Sequence, residues 1–186
     1  MRRLFAPLAA AAIAFALAHC AAYSLQPPGR VSIASYYTVD TPNAWSRHGD
    51  GQREYWTVNG SALEELMLAG GIGHGDTLLG SDGAPRFRRG MTALDAREFI
   101  ESNLIASGMH NVVFREFRAA PFGRLPGFRA ELEFLTKPGL ETDGFLVGAV
   151  HQDRLHLIFY SGARLYYYGK HKDAAERIAA SVIVKN

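Results

Sequence analysis

The run from Gly127 to Gly162, GFRAELEFLTKPGLETDGFLVGAVHQDRLHLIFYSG, constrains the fold more than any other part of the chain. Three apolar stretches are separated by two polar breaks. Lys137-Pro138-Gly139 cannot continue a strand, because proline has no N–H to donate and glycine favours a bend. Gln152-Asp153 is the second break. Phe128, Ala130, Leu132 and Phe134 share one parity, and Leu155, Leu157 and Phe159 share another. Period two marks strands with a buried face, and such short connections make neighbours antiparallel. A three-stranded antiparallel meander is therefore expected at the centre of the fold.

The rest of the chain supplies further strands and two helices. Arg30–Val39 reads as a strand, Thr41–Gly51 as a loop and Glu54–Val58 as a second strand, followed by the hairpin signal Asn59-Gly60. Ser61–Ala69 carries helical propensity and a Ser-x-x-Glu pattern, yet lies directly behind a turn, which favours a strand. Residues 70–85 are glycine-rich and loop-like. Thr92 begins a helix as N-cap, with Asp95 in its first turn, the apolar face Ala96, Phe99, Ile100 and Leu104, and Gly108 ending it. Asn111–Phe117 is a strand, Pro121–Pro126 a turn and Tyr166–Tyr168 a short extended piece. Asp173 with Glu176 reads as the cap of a last helix, whose inner stripe is Ala175, Ile178, Ala179 and Val182. Helices and strands do not alternate, so the class is α+β: a largely antiparallel sheet of about six to seven strands, with a C-terminal meander, flanked by two main helices.

Residues 1–19 are a different kind of sequence. Arg2 and Arg3 precede an apolar run from Leu4 to Leu17, the layout of a secretory signal peptide, and the run is short for a membrane span. The order Leu17-Ala18-His19-Cys20 resembles a bacterial lipobox. That resemblance implies that Cys20 carries lipid and becomes the mature N-terminus. His19 stands where the pattern has Gly, Ala or Ser, and Ala16-Leu17-Ala18 offers an ordinary cleavage site instead. The expected division is a leader at 1–19, a lipidated cysteine and tether at 20–29 and one domain at 30–186. Anchoring would place the domain on the periplasmic side of a bacterial envelope, with Ala21 after the cysteine pointing to the outer membrane; the ordinary site would release it to the periplasm. The leader also explains the charge. Twenty Lys and Arg face eighteen Asp and Glu in the whole chain. Two of the cations are in the leader, so the remainder balances, which argues against a nucleic-acid partner.

The element order resembles the PsbP-like fold, an antiparallel sheet flanked by helices. The stretches Tyr55-Trp56-Thr57, Phe87 to Met91, Pro126-Gly127-Phe128 and Tyr167-Tyr168-Gly169-Lys170 resemble small uncharacterised bacterial lipoproteins of proteobacterial type, a resemblance that implies no activity.

Chemistry is thin. Gly-x-Ser-x-Gly, HExxH, GxGxxG and GKS/GKT are absent. His74-x-Asp76 and His151-x-Asp153 with His156 approach ligand spacing, but both read as polar turns, so no metal and no cofactor are expected. Arg86 and Arg88 share a strand face, a geometry that suits anionic groups such as lipid headgroups or cell-wall carboxylates. Trp45, Arg86, Arg88 and Tyr166 are the candidate groove residues. The expectation is a non-enzymatic envelope lipoprotein, tethered to the membrane through Cys20 and contacting an envelope protein. The second reading is a periplasmic small-ligand or peptidoglycan-binding domain or hydrolase.

Overall fold

A computed structural model of the protein describes residues 23–185. In chain order its elements are β1 (Ser24–Gln26), β2 (Gly29–Ile33), β3 (Tyr37–Thr41), β4 (Trp45–Gly49), β5 (Arg53–Thr57) and β6 (Glu64–Ile72), then helix α1 (Ala93–Ala106). There follow β7 (His110–Phe122), β8 (Leu125–Leu135), β9 (Glu141–His151), β10 (Arg154–Ala163), helix α2 (Tyr167–Ala180) and β11 (Ile183–Val184). The main sheet has eight strands, in the order β1-β4-β5-β6-β10-β9-β8-β7, and every pairing in it is antiparallel. A second sheet of three strands, β11-β3-β2, is hydrogen-bonded separately.

The class and the meander agree with the sequence pattern. Phe128, Ala130, Leu132 and Phe134 are all buried, while the residues between them are half-buried. Gln152 and Asp153 both take positive φ and close the β9–β10 hairpin. The layers follow from which face each helix covers. One face of the sheet packs Leu66, Leu68, Phe145, Ile158 and Tyr160 against α2 and the three-stranded sheet, through Ala174, Ala175, Ile178, Ile33, Tyr37 and Val39. The other packs Met67, Leu132, Leu146 and Leu157 against α1, through Ala96, Phe99, Ile100 and Leu104. Strands β6, β9 and β10 are buried on both faces, which is why their sequences read as continuous apolar runs.

Several expectations are corrected. The sheet has eight strands, not six or seven. Arg30–Val39 is not one strand but the hairpin β2–β3, turning at Ala34 and Ser35, both at positive φ; neither residue announces such a turn. Thr41–Gly51 is not a loop: Pro42-Asn43 and Gly51 bracket strand β4. The Asn59-Gly60 signal does mark the β5–β6 connection, but the connection is residues 58–63 rather than two residues. The Glu64 carboxylate organises it, Oε1 accepting from Val58 N (2.8 Å), Asn59 N (2.7 Å) and Thr57 Oγ1 (3.0 Å). Pro121 and Pro126 are not in a turn; they pair across β7 and β8, and the turn is Gly123-Arg124. Pairing of β8 with β9 begins only at Phe128, so Pro126 sits where no third strand asks for its missing N–H. Tyr166–Tyr168 is not extended: Tyr166 is the N-cap of α2. Asp173 and Glu176 lie inside that helix, where Glu176 accepts from both Arg129 Nη1 (2.9 Å) and Nη2 (2.6 Å) and ties α2 to β8.

α1 forms as its sequence indicates. Asp95 N donates to Thr92 Oγ1, Thr92 N donates to Asp95 Oδ2, and Gly108 ends the helix at φ +93°. The N-cap hydroxyl and the Asp95 carboxylate thus satisfy amides that the first turn would leave bare.

β6 meets β10 through a bulge: Ile72 pairs with Leu155 and Ala69 with Leu157, leaving Gly70 and Gly71 opposite His156. Gly71 has φ +74°, and a Cβ there would lie 2.1 Å from the Tyr36 ring. Gly83 has the same φ with open space around it. Replacing each by alanine separates the two costs. Gly83→Ala is expected to lose about 1–2 kcal/mol from backbone strain alone. Gly71→Ala adds about 1–3 kcal/mol of overpacking. Equal urea midpoints for the two variants would show that the Tyr36 contact is slack.

Candidate functional sites

Cys20 lies outside the described residues. The stretch expected to tether the domain is shorter than 20–29, since β1 pairs with β4 from Ser24. Three residues separate Cys20 from β1, a reach of roughly 10 Å.

The four residues expected to share a groove are distributed over three environments. Trp45 is 1% exposed, packed 6.5 Å from the Trp56 ring and 6.0 Å from the His171 ring. It is core and cannot wall a groove open to solvent. Its position on β4, facing α2, follows from the strand that its flanking breakers conceal.

Arg86 and Arg88 do not share a strand face, because residues 84–88 form no strand, but both line one cleft. They line one side of a cleft of about 680 Å³ whose other side is α1, with Asp95, Glu98 and Ser102 facing them. Phe87 between them is fully buried against Phe99, ring centroids 5.6 Å apart. The segment is bonded down as well, since Phe87 N donates to Asp76 O (2.8 Å) and Gly75 N to Phe87 O (2.9 Å). Alternation around a buried Phe87 therefore turns both arginines outward. Glu98 and Ser102 were not singled out from sequence; the Asp95–Glu98–Ser102 spacing, which puts all three on one helix face, is the signal that could have found them.

Tyr166 lines a different hollow of about 400 Å³ with Leu63, Leu140, Arg164, Leu165 and Tyr167. Leu165 is 98% exposed and Tyr166 60%. Lys170 places its ammonium 5.4 Å from the Tyr166 ring and 5.8 Å from the Tyr167 ring. Arg164 is occupied by Asp143, Glu133 and Glu141. The result is an apolar tip with a charged rim. Leu165 sits in the connection from β10 to α2, and Arg-Leu-Tyr-Tyr at such a junction was its signal in the sequence.

Of the residues at near-ligand spacing, Asp76, Asp153 and His156 are engaged structurally. Asp76 Oδ2 accepts from Gly73 N (2.9 Å) and Gln52 Nε2 (3.0 Å), and Asp153 Oδ1 from Gly90 N (2.9 Å). His156 Nδ1 accepts from Gly71 N (3.2 Å) inside the bulge. Burial, then the nearby His151 and Arg154, lowers the His156 imidazole from 6.5 to about 4, so it is neutral at pH 7. Glu65, on the opposite face of β6 beside Met109, Phe134 and Ser161, moves the other way. Burial, then the neighbouring Glu64, raises its carboxyl from 4.5 to about 7.

These two groups act on stability with opposite signs. For His156 the unfolded chain takes the proton first, so its stability is full above pH 6.5 and is lost as pH falls towards 4. For Glu65 the folded chain holds the proton more tightly, so its stability is full below pH 4.5 and is lost as pH rises through 7. The slopes oppose one another across the shared window. Glu65→Gln removes one of them and should leave stability climbing by roughly 2–3 kcal/mol between pH 4 and 6.5. Urea unfolding at half-unit steps measures this; a profile parallel to that of the unmodified protein would refute the assignment.

The chain matches no protein-family model and no curated protein. Among solved structures it is similar to cyanobacterial PsbP (CyanoP) from Synechocystis sp. PCC 6803. The TM-score is 0.55 at 17% identity, over 91% of this chain and 96% of that one. It is also similar to a protein from Bacteroides thetaiotaomicron (TM-score 0.50, 10% identity, 87% of this chain), of whose length it spans half. LpqN of Mycobacterium tuberculosis, described as involved in cell envelope biogenesis, has a TM-score of 0.40 at 10% identity, too loose a likeness to argue from. At these identities the likeness to cyanobacterial PsbP concerns the fold alone, and that fold is a PsbP-like antiparallel sheet layered between helices.

Proposed function

We propose that the protein is a membrane-tethered envelope lipoprotein that works by contact with a protein partner rather than by turnover. The observation that carries this reading is the tip at Leu165 and Tyr166. Leu140, Leu165 and Tyr166 are exposed side by side there, and a contiguous apolar patch rimmed by charge marks a contact surface. The tip has the anatomy of an interface, with leucine and tyrosine at the centre and Lys170, Arg164 and Glu141 around it. The partner chemistry that fits is an apolar segment with polar flanks on another envelope protein. Cys20 supplies the anchor in this reading, and the short reach to β1 keeps the domain close to the bilayer surface. Outer-membrane placement follows from Ala21 after the cysteine.

Two measurements test it. Labelling with a palmitate analogue should mark the unmodified protein and not Cys20→Ala. A photo-crosslinking residue at position 166 should give a discrete adduct in cells, lost when Leu165→Asp is added, whereas the same residue at position 94 gives none. Leu94 is the control because it is 57% exposed on α1, in the opposite layer. Equal adducts at both positions, or none at position 166 in a folded chain, would refute the contact reading.

A further inference from the structure

In the cleft between α1 and residues 83–91, side chains of opposite charge line facing walls without pairing. Arg86 and Arg88 stand on one wall and Glu98 and Ser102 on the other, with Met91 and Phe99 between. Among the described residues neither arginine forms an ion pair, and Glu98 has neither an ion pair nor a hydrogen bond. The neighbouring acid is different. Asp95 Oδ2 accepts from Thr92 N and Thr92 Oγ1, both at 2.7 Å. These bonds, with the nearby Arg88, hold its carboxyl below the usual range. Glu98 is thus the carboxylate left over.

Each wall is held in place by its own anchors. Phe87 is buried and its backbone is bonded to Gly75 and Asp76. Arg86 Nη1 donates to Gly75 O at 2.6 Å, which fixes that guanidinium and leaves its other donors uncommitted. On the facing wall, α1 is fastened by Phe99, Ile100 and Leu104 in the core.

We infer that this cleft binds a small zwitterion of the phosphoethanolamine type, with phosphate oxygens on Arg86 and Arg88 and a primary ammonium on Glu98. Two guanidinium forks suit a group with several oxygens, and an unpaired carboxylate suits an ammonium. The Ser102 hydroxyl can accept or donate beside it, and Met91 and Phe99 cover the short carbon linker. The volume, about 680 Å³, is within the range of small-molecule sites. The group could arrive as a free solute or as a lipid headgroup; the chemistry is the same.

The test uses the full-length chain carrying Cys20→Ala, so that no acyl chain contributes and the result stands apart from the tethering proposal. Titration with free O-phosphoethanolamine should show binding at least about fivefold tighter than inorganic phosphate or ethanolamine alone, the worth of one added ion pair. Glu98→Gln should reduce phosphoethanolamine to the level of phosphate and leave phosphate unchanged, whereas Arg88→Gln should weaken both. Both side chains are exposed, and circular dichroism checks that each variant folds. Flotation with vesicles containing phosphatidylethanolamine, against phosphatidylcholine alone, separates the sources. Retention that Glu98→Gln abolishes assigns a lipid headgroup, and binding of the free compound alone assigns a solute. The inference is overturned if phosphoethanolamine binds no tighter than phosphate, if Glu98→Gln changes nothing, or if neither form binds at roughly 10 mM.

Discussion

The structure depends on the pairing of β6 with β10. On one side of that seam lie β5, β4 and β1; on the other lie β9, β8 and β7. Apart from the β1–β4 pair, each half is built from strands consecutive in the chain, and this seam, joining residues 64–72 to residues 155–162, makes them one sheet. Closing so long a loop costs chain entropy. The return is a pair of strands buried on both faces, with Leu66, Leu68, Ile158 and Tyr160 in one core and Met67, Ala69, Leu157 and Phe159 in the other.

The seam is also where the second sheet docks. The bulge at Gly70 and Gly71 interrupts the ladder and leaves backbone groups without strand partners. Tyr37 of β3, fully buried, donates its hydroxyl towards Ala69 O (3.3 Å) and Leu157 O (3.1 Å), one carbonyl from each side of the seam. His156 takes the Gly71 N–H. Tyr36, Tyr37 and Phe122 surround the imidazole at ring separations of 5.2, 6.3 and 6.4 Å. A protonated ring could not accept that bond, so the neutral histidine belongs to the same arrangement as the glycines.

The two surfaces assigned roles here are consequences of how the helices are fastened. Arg129 reaches from β8 to Glu176 while its guanidinium stacks 4.6 Å over the Phe145 ring, and the Tyr168 hydroxyl donates to Glu131 Oε2 (3.0 Å). With the start of α2 held in this way, the short connection from Ala163 must turn outside the core, which puts Leu165 in water. On the opposite layer, α1 buries one stripe and presents Asp95, Glu98 and Ser102 to the arginines. Phe87 holds that wall to the core, and the cleft stays open between two fastened edges.

By itself the sequence determined what rests on local periodicity and turn chemistry. The meander followed from alternation around Lys137-Pro138-Gly139 and Gln152-Asp153, and α1 from its N-cap and apolar stripe. The α+β class followed from element order. The tertiary structure decided whatever depends on contacts distant in sequence. Ser61–Ala69 has helical propensity and only its place behind a turn favoured the strand; Glu64–Ile72 is that strand because β5 and β10 lie on both sides, and pairing with burial outweighs an intrinsic preference of a few tenths of a kcal/mol per residue. Trp45 reads as a loop aromatic until β1 and β5 flank it and make it core. Asp173 and Glu176 have the spacing of a cap, but Arg129, almost fifty residues earlier, claims Glu176 for the sheet. Glu98 was invisible because one unpaired carboxylate on a helix resembles any other; only the fold places two arginines across from it.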